Sequence, residues 1–184
     1  YYNKPNRSGL VKHYTAIADL DIPVVLYNVP GRTGQNIAPD IVAELAQHPN
    51  IVGVKEASGD ISQISTIIEL TRDKYSSVFS GGDNLTLPFL SLGGRGNISV
   101  SANIYARPLV EIKELVKNGH YEAARNIHFL YSSQFRARFL ESTPIAVKKA
   151  AELLGMASSQ LRLPLDEAAD QTTSTIQEVL SKYE

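Results

Sequence analysis

Four short runs of β-branched and apolar residues recur along the first part of this chain: Pro23 to Tyr27, Ile51 to Lys55, Ser76 to Phe79, and Asn97 to Val100. Each is mostly apolar instead of alternating with polar residues, which predicts strands buried on both faces of a parallel sheet. Amphipathic helical patterns lie between them. Leu10, Tyr14, Ile17 and Ala18 precede the first run, and Ile41, Val42 and Leu45 follow it, with Pro39 suited to a first helical turn. Ile61, Ile64, Ile67 and Ile68 follow the second; Leu85, Leu87, Phe89, Leu90 and Leu92 follow the third and end at Gly93-Gly94. The order α-β-α-β-α-β-α-β, repeating every roughly 20 to 30 residues, is that of βα units. Half of a (β/α)8 barrel and a small open α/β sheet both satisfy it, and periodicity does not choose between them.

After Val100 the strand signals stop. Pro108 to Lys117 with Gly119, and then Tyr121 to Leu140, are expected to be helical. Thr143-Pro144 and the run to Gly155 supply an N-cap, a first-turn proline and a C-terminal glycine. Asp166 to Tyr183 predicts a closing helix. The chain is thereby expected to divide into a strand-bearing segment, 1–104, and a helical segment, 105–184.

The 184 residues are enough for one domain with a core but short for a complete (β/α)8 barrel. A net charge of -1 gives no bulk attraction to nucleic acid or acidic membranes, and no apolar run approaches a membrane span. The absence of cysteine excludes disulfides, iron–sulfur clusters and thiolate zinc sites, and suits a cytoplasmic protein. The opening Tyr1-Tyr2-Asn3-Lys4-Pro5 has neither an initiator Met nor a signal-peptide pattern, so a longer parent chain is expected.

In parallel α/β folds reactive groups gather at the C-terminal ends of strands. Those ends here carry Tyr27-Asn28, Lys55-Glu56, Ser80-Gly81-Gly82-Asp83 and Ser99-Val100-Ser101. A lysine closing Ile51-Val52-Gly53-Val54-Lys55 is unusual. Apolar surroundings disfavour an ammonium and so favour the free amine that attacks carbonyls; the plain alternative is a lysine that snorkels out and pairs with Glu56. Tyr27, one βα unit earlier, offers a phenol for proton transfer, or simply bridges core and rim. Arg32, in Pro30-Gly31-Arg32-Thr33-Gly34, could grip a carboxylate with two hydrogen bonds, or be a solvated loop arginine. Gly93, Gly94 and Gly96 lack the Lys-Ser/Thr partner of a P-loop. His13, His48, His120 and His128 lack metal-ligand spacing, and Asp83 is expected to be a helix N-cap.

Taken together, YNVPGRTG (27–34) and VGVKEASG (52–59) resemble the dihydrodipicolinate synthase / N-acetylneuraminate lyase superfamily. YYNKP (1–5), SGGDN (80–84), GGRGNISVSAN (93–103), TPIAVKKAAELLG (143–155) and LRLPL (161–165) are similar to its synthase branch, and Arg32 within GRTG sets this chain apart from the sialate lyases. The resemblance runs essentially end to end. It implies an α/β fold of the TIM (β/α)8 barrel type, here the second half of the barrel, about four parallel strands, plus a C-terminal helical region. It further implies a lyase that condenses pyruvate with aspartate semialdehyde to 4-hydroxy-tetrahydrodipicolinate, for lysine and diaminopimelate synthesis. No cofactor or metal is implied beyond a covalent imine on Lys55.

By the same resemblance Tyr27 relays protons, Tyr2 completes the relay across a subunit interface, and Arg32 holds the semialdehyde carboxylate. The backbone carbonyl of Ile98 and the Gly81 region line the pocket, and Tyr1 matches a position near the lysine-inhibitor site of feedback-regulated members. The implied partners are the two small substrates and further copies of the chain, as a dimer or tetramer, with no nucleic acid and no membrane. The family's N-terminal GTTGE loop is absent from this sequence, so the chain alone is expected to be inactive and to need the N-terminal half-barrel. Two other functions stay open: a sister pyruvate aldolase for keto-sugar acids, and a non-catalytic half-barrel that serves assembly.

Overall fold

In the computed structural model, residues 2–74 and 77–183 are described. Tyr1, and Ser76 as the expected start of the third strand, lie outside them. The chain divides into two compact units, one ending at Ile98 and one beginning at Ser99, slightly ahead of the boundary expected after residue 104.

In the first unit Asn6 caps α1 (Arg7–Ala18) by accepting the Gly9 N–H at 2.9 Å. β1 (Val24–Asn28) leads into a single turn, α2 (Pro30–Thr33), where the sequence suggested only a loop. Pro30 presets φ at its start and Gly34, at φ 68°, closes it in the left-handed conformation. Next come α3 (Pro39–Leu45), with its proline in the first turn, and β2 (Ile51–Glu56). α4 (Ile61–Thr71) is capped by Asp60, which accepts from the Ser62 and Gln63 N–H groups. β3 (Val78–Ser80), α5 (Thr86–Ser91) and β4 (Gly96–Asn97) complete the unit.

Asp83 is not an N-cap, since Gly82 occupies that position; the buried Asp83 carboxylate instead accepts from Asn97 Nδ2 at 3.2 Å. The fourth strand is shorter than the run 97–100. Its pairing ends at Ser80↔Asn97, and Val100 has already turned into the right-handed region at φ -78°, ψ -45°.

All four strands are parallel, in the order β1-β2-β3-β4, each bonded to the next in sequence. A doubly wound sheet reverses its order at a switch point, whereas a barrel winds in one direction throughout. Leu26, Val54 and Val78 pack with Ile41, Val42 and Leu45 of α3, Ile64 and Ile67 of α4, and Phe89 of α5. The Phe89 ring lies so close to the chain at Gly94 that a Cβ there would stand 2.0 Å from Cδ1. The opposite face is open, with Val25 42% and Tyr27 41% exposed. The helices after β1, β2 and β3 all return over the same side, so this chain by itself covers one face of its strands.

The second unit is helical: α6 (Ala106–Lys117), α7 (Tyr121–Leu130), α8 (Ser132–Ala137), α9 (Ile145–Leu153) and α10 (Asp170–Leu180). The single helix expected over 121–140 breaks at Tyr131. The Tyr183 hydroxyl takes the Leu130 carbonyl and also meets Ser133 Oγ, while the Tyr131 and Tyr183 rings stack at 4.9 Å. Pro144, not Thr143, stands at the N-cap of α9, and Gly155 follows its end at φ 68°. Ala146 and Ala150 pack on Ile176 and Leu180. Lys149, then Ser159, hydrogen-bond Glu152 and hold its carboxyl down to about 2, clasping α9 to the loop behind it. Among the described residues no helix is long and apolar enough to cross a membrane.

Candidate active site

Parallel pairing sets Tyr27 of β1 directly beside Lys55 of β2. Both lie near the C-terminal ends of their strands, and strand alternation sends both side chains to the open face. Lys55 is half-buried, with its Nζ 4.1 Å from the centre of the Tyr27 ring. At that distance the face of the ring attracts an ammonium and also orients the lysine chain. Gly81, just past β3, makes room for that chain. A Cβ at 81 would stand 2.5 Å from Ala57 Cβ, which requires glycine there, and 3.2 Å from Lys55 Cε, so the lysine passes close by. The Gly81 N–H donates to the Glu56 carbonyl at 2.8 Å, and the Ile98 N–H to the Ser80 carbonyl at 2.9 Å. These bonds extend the sheet to the level of Lys55 and place Gly81 and Ile98 at its C-terminal rim.

Glu56 does not pair with Lys55, because the next residue along a strand faces the opposite way. Its carboxylate is 1% exposed and accepts from Asn28 Nδ2 at 3.1 and 2.9 Å, the Ser58 N–H at 2.6 Å, and Gln63 Nε2 at 3.3 Å. Asn28, 0% exposed, also donates to Asn36 Oδ1 at 2.8 Å and accepts the Ile37 N–H at 3.0 Å. Asn36 and Gln63 are joined in turn. This polar cluster was not anticipated from the sequence. Its signal was parity, since Asn28 and Glu56 occupy the helix-covered positions that Leu26 and Val54 fill earlier on the same strands.

Arg32 sits in α2, exposed, in the loop that leaves β1. Thr33 stiffens that loop, its hydroxyl donating to the Gln35 carbonyl at 2.9 Å. Tyr2 stands apart with its side chain 87% exposed. Lys55 therefore meets the Tyr27 ring on one side and passes Gly81 on the other, Ile98 joins the same rim through the backbone, Arg32 borders the β1 end, and Tyr2 stands exposed. Among the described residues no three His, Cys, Asp or Glu side chains gather as metal ligands. His48 does meet a carboxylate, Asp19, at 3.1 Å, but at the other end of the strands. An amine held over a phenol at a strand-end rim can add to a carbonyl and exchange protons with the adduct.

Residues 1–183 match the dihydrodipicolinate synthetase family. A 4-hydroxy-tetrahydrodipicolinate synthase of Methanospirillum hungatei is 74% identical over 184 residues, covering 100% of this chain and 63% of the relative. That of Methanoculleus marisnigri is 59% identical over 183 residues, with the same shares covered. The crystal structure of dihydrodipicolinate synthase from Thermotoga maritima superposes with a TM-score of 0.96 at 40% identity, covering 99% of this chain and 63% of that one. A monomeric dihydrodipicolinate synthase variant matches equally well, with a TM-score of 0.96 at 40% identity over 99% of this chain and 62% of that one. The chain thus spans less than two thirds of the length of these relatives.

Proposed function

The chain belongs to the dihydrodipicolinate synthetase family, and from that premise we propose that its protein condenses pyruvate with aspartate semialdehyde to 4-hydroxy-tetrahydrodipicolinate through an imine on Lys55. Within the (β/α)8 barrel of this family the chain supplies the second half, four parallel strands, and the C-terminal helical region. The observation that carries the proposal is the pairing of Lys55 with Tyr27 at adjacent strand ends, amine over ring at 4.1 Å.

The Lys55 amine adds to the pyruvate ketone and water leaves, forming a protonated imine. Loss of a methyl proton gives an enamine, with the imine nitrogen as electron sink. The enamine carbon attacks the aldehyde and forms the new C–C bond. The substrate's own amine then closes on the imine carbon and frees Lys55, so the cycle uses no cofactor beyond that imine. Tyr27 carries the protons of these steps, with Tyr2 joining the relay from another copy in a dimer or tetramer. Arg32 holds the semialdehyde carboxylate, and the Ile98 carbonyl and Gly81 border the imine. Nucleic acid and membrane have no part in this chemistry, and the small soluble substrates suit the cytoplasm.

Trapping tests this directly. Pyruvate with borohydride, applied to the full-length protein, is expected to add one reduced pyruvate at Lys55 and at no other lysine, read by peptide mass mapping. An active protein that gives no adduct, or gives one elsewhere, sinks the assignment.

Arg32 separates this reaction from that of a sister aldolase for keto-sugar acids. A polyhydroxylated aldehyde offers no match for a fixed guanidinium, whereas the semialdehyde carboxylate can accept two parallel hydrogen bonds. Losing one charged hydrogen-bonding partner costs roughly 1.5 to 3 kcal/mol, about 10- to 100-fold in affinity. Arg32→Ala should therefore raise the apparent constant for the semialdehyde by that factor and leave pyruvate trapping at Lys55 nearly intact. A parallel rise in both constants would make Arg32 a brace for the loop 30–34.

A further inference from the structure

We propose that Asn28 and Glu56 are positioning residues that fix the Tyr27–Lys55 pair and the Arg32 loop in one arrangement; the inference rests on the imine chemistry assigned to that pair. Each follows a reactive residue in sequence, and the two are register partners, as Tyr27 and Lys55 are. Alternation puts the reactive pair on the open face and the Asn28–Glu56 pair behind it, fully buried. The Asn28 amide spans three segments. Its Nδ2 holds Glu56 at the end of β2, and the same nitrogen donates to Asn36 while its Oδ1 accepts from the Ile37 N–H. Asn36 and Ile37 end the loop that begins after Asn28 and carries Arg32, so one side chain ties the loop's exit to its entrance and both to Lys55's strand. The donors that reach Glu56 are uncharged amides. A buried, satisfied network of this kind holds a single geometry and loses it when one member changes polarity.

The test reverses that polarity in two steps in the full-length protein. Asn28→Asp keeps the volume and the acceptor for Ile37 but sets two carboxylates against each other. Adding Glu56→Gln returns a donor to the pair. Two rates at Lys55 are measured on protein shown to be folded by circular dichroism. One is pyruvate–borohydride trapping; the other is acylation by limiting acetic anhydride, scored against the exposed Lys12 as internal reference. With Asn28→Asp, trapping is expected to fall about 10-fold or more, as for a reactive group displaced by a fraction of an ångström. Acylation should rise severalfold as the amine leaves the ring, and the double variant should restore both. If Asn28→Asp does not fold, the isosteric Glu56→Gln alone sets amide against amide and should move both rates in the same directions. A lowered Tm with both rates at the wild-type value, or a double variant that rescues neither rate, overturns the proposal. Should the wild-type protein give no pyruvate adduct, the proposed function fails, and acylation alone decides the positioning role.

Discussion

Lys55→Arg is expected to abolish the pyruvate adduct and lower turnover by on the order of 10⁴-fold or more, as happens when a covalent nucleophile is removed. The imine needs an amine that can lose its proton to attack a carbonyl, and a guanidinium does not. The same substitution should leave the fold in place. Lys55 lies at the open face, over the Tyr27 ring at 4.1 Å, and arginine stacks on aromatic faces at least as well as lysine. Glu56 draws nothing from the lysine, being held from behind by Asn28, Ser58 and Gln63, so removing the ammonium strands no buried charge. The checks are mass mapping after borohydride, steady-state turnover, and Tm in one preparation. An arginine variant with appreciable turnover would show that the reaction does not pass through an imine at this position.

What the sequence made legible follows from which physics is local. Helix limits were readable where caps are local, as at Pro39 in α3 and Gly155 after α9. Strand positions followed from apolar runs, and the strand-end rule alone pointed to Tyr27 and Lys55, which do meet. Long-range ties were not readable. Tyr183 breaks the helix at Tyr131 from the far end of the second unit, and nothing near Tyr131 announces it. The shortening of β4 depends on where its pairing with β3 stops. Asn28 and Glu56 were visible as polar residues at strand ends, but their partnership needs the register of two strands, which sequence periodicity does not fix. The roles of Tyr2, Gly81 and Ile98 came from the family resemblance, not from spacing.

Tyr27→Phe separates the two duties of that residue. Its ring supports Lys55, and its hydroxyl is the proposed proton carrier; phenylalanine keeps the first and deletes the second. Because Tyr27 is 41% exposed at the strand end and the ring contact with Lys55 survives, stability should move by no more than about 0.5 kcal/mol. Turnover, by contrast, should fall by the ~10² to 10⁴-fold that a general acid–base group contributes. The imine should still form, more slowly, because the amine stays in place, so borohydride trapping should reach the same final stoichiometry as in the wild type. That combination of intact Tm, full trapping and collapsed turnover is specific to a lost proton carrier. A lysine that had merely been displaced would trap poorly as well. If the phenylalanine variant turns over at nearly the wild-type rate, the protons travel through another group, and the ring beneath Lys55 is the whole of Tyr27's contribution.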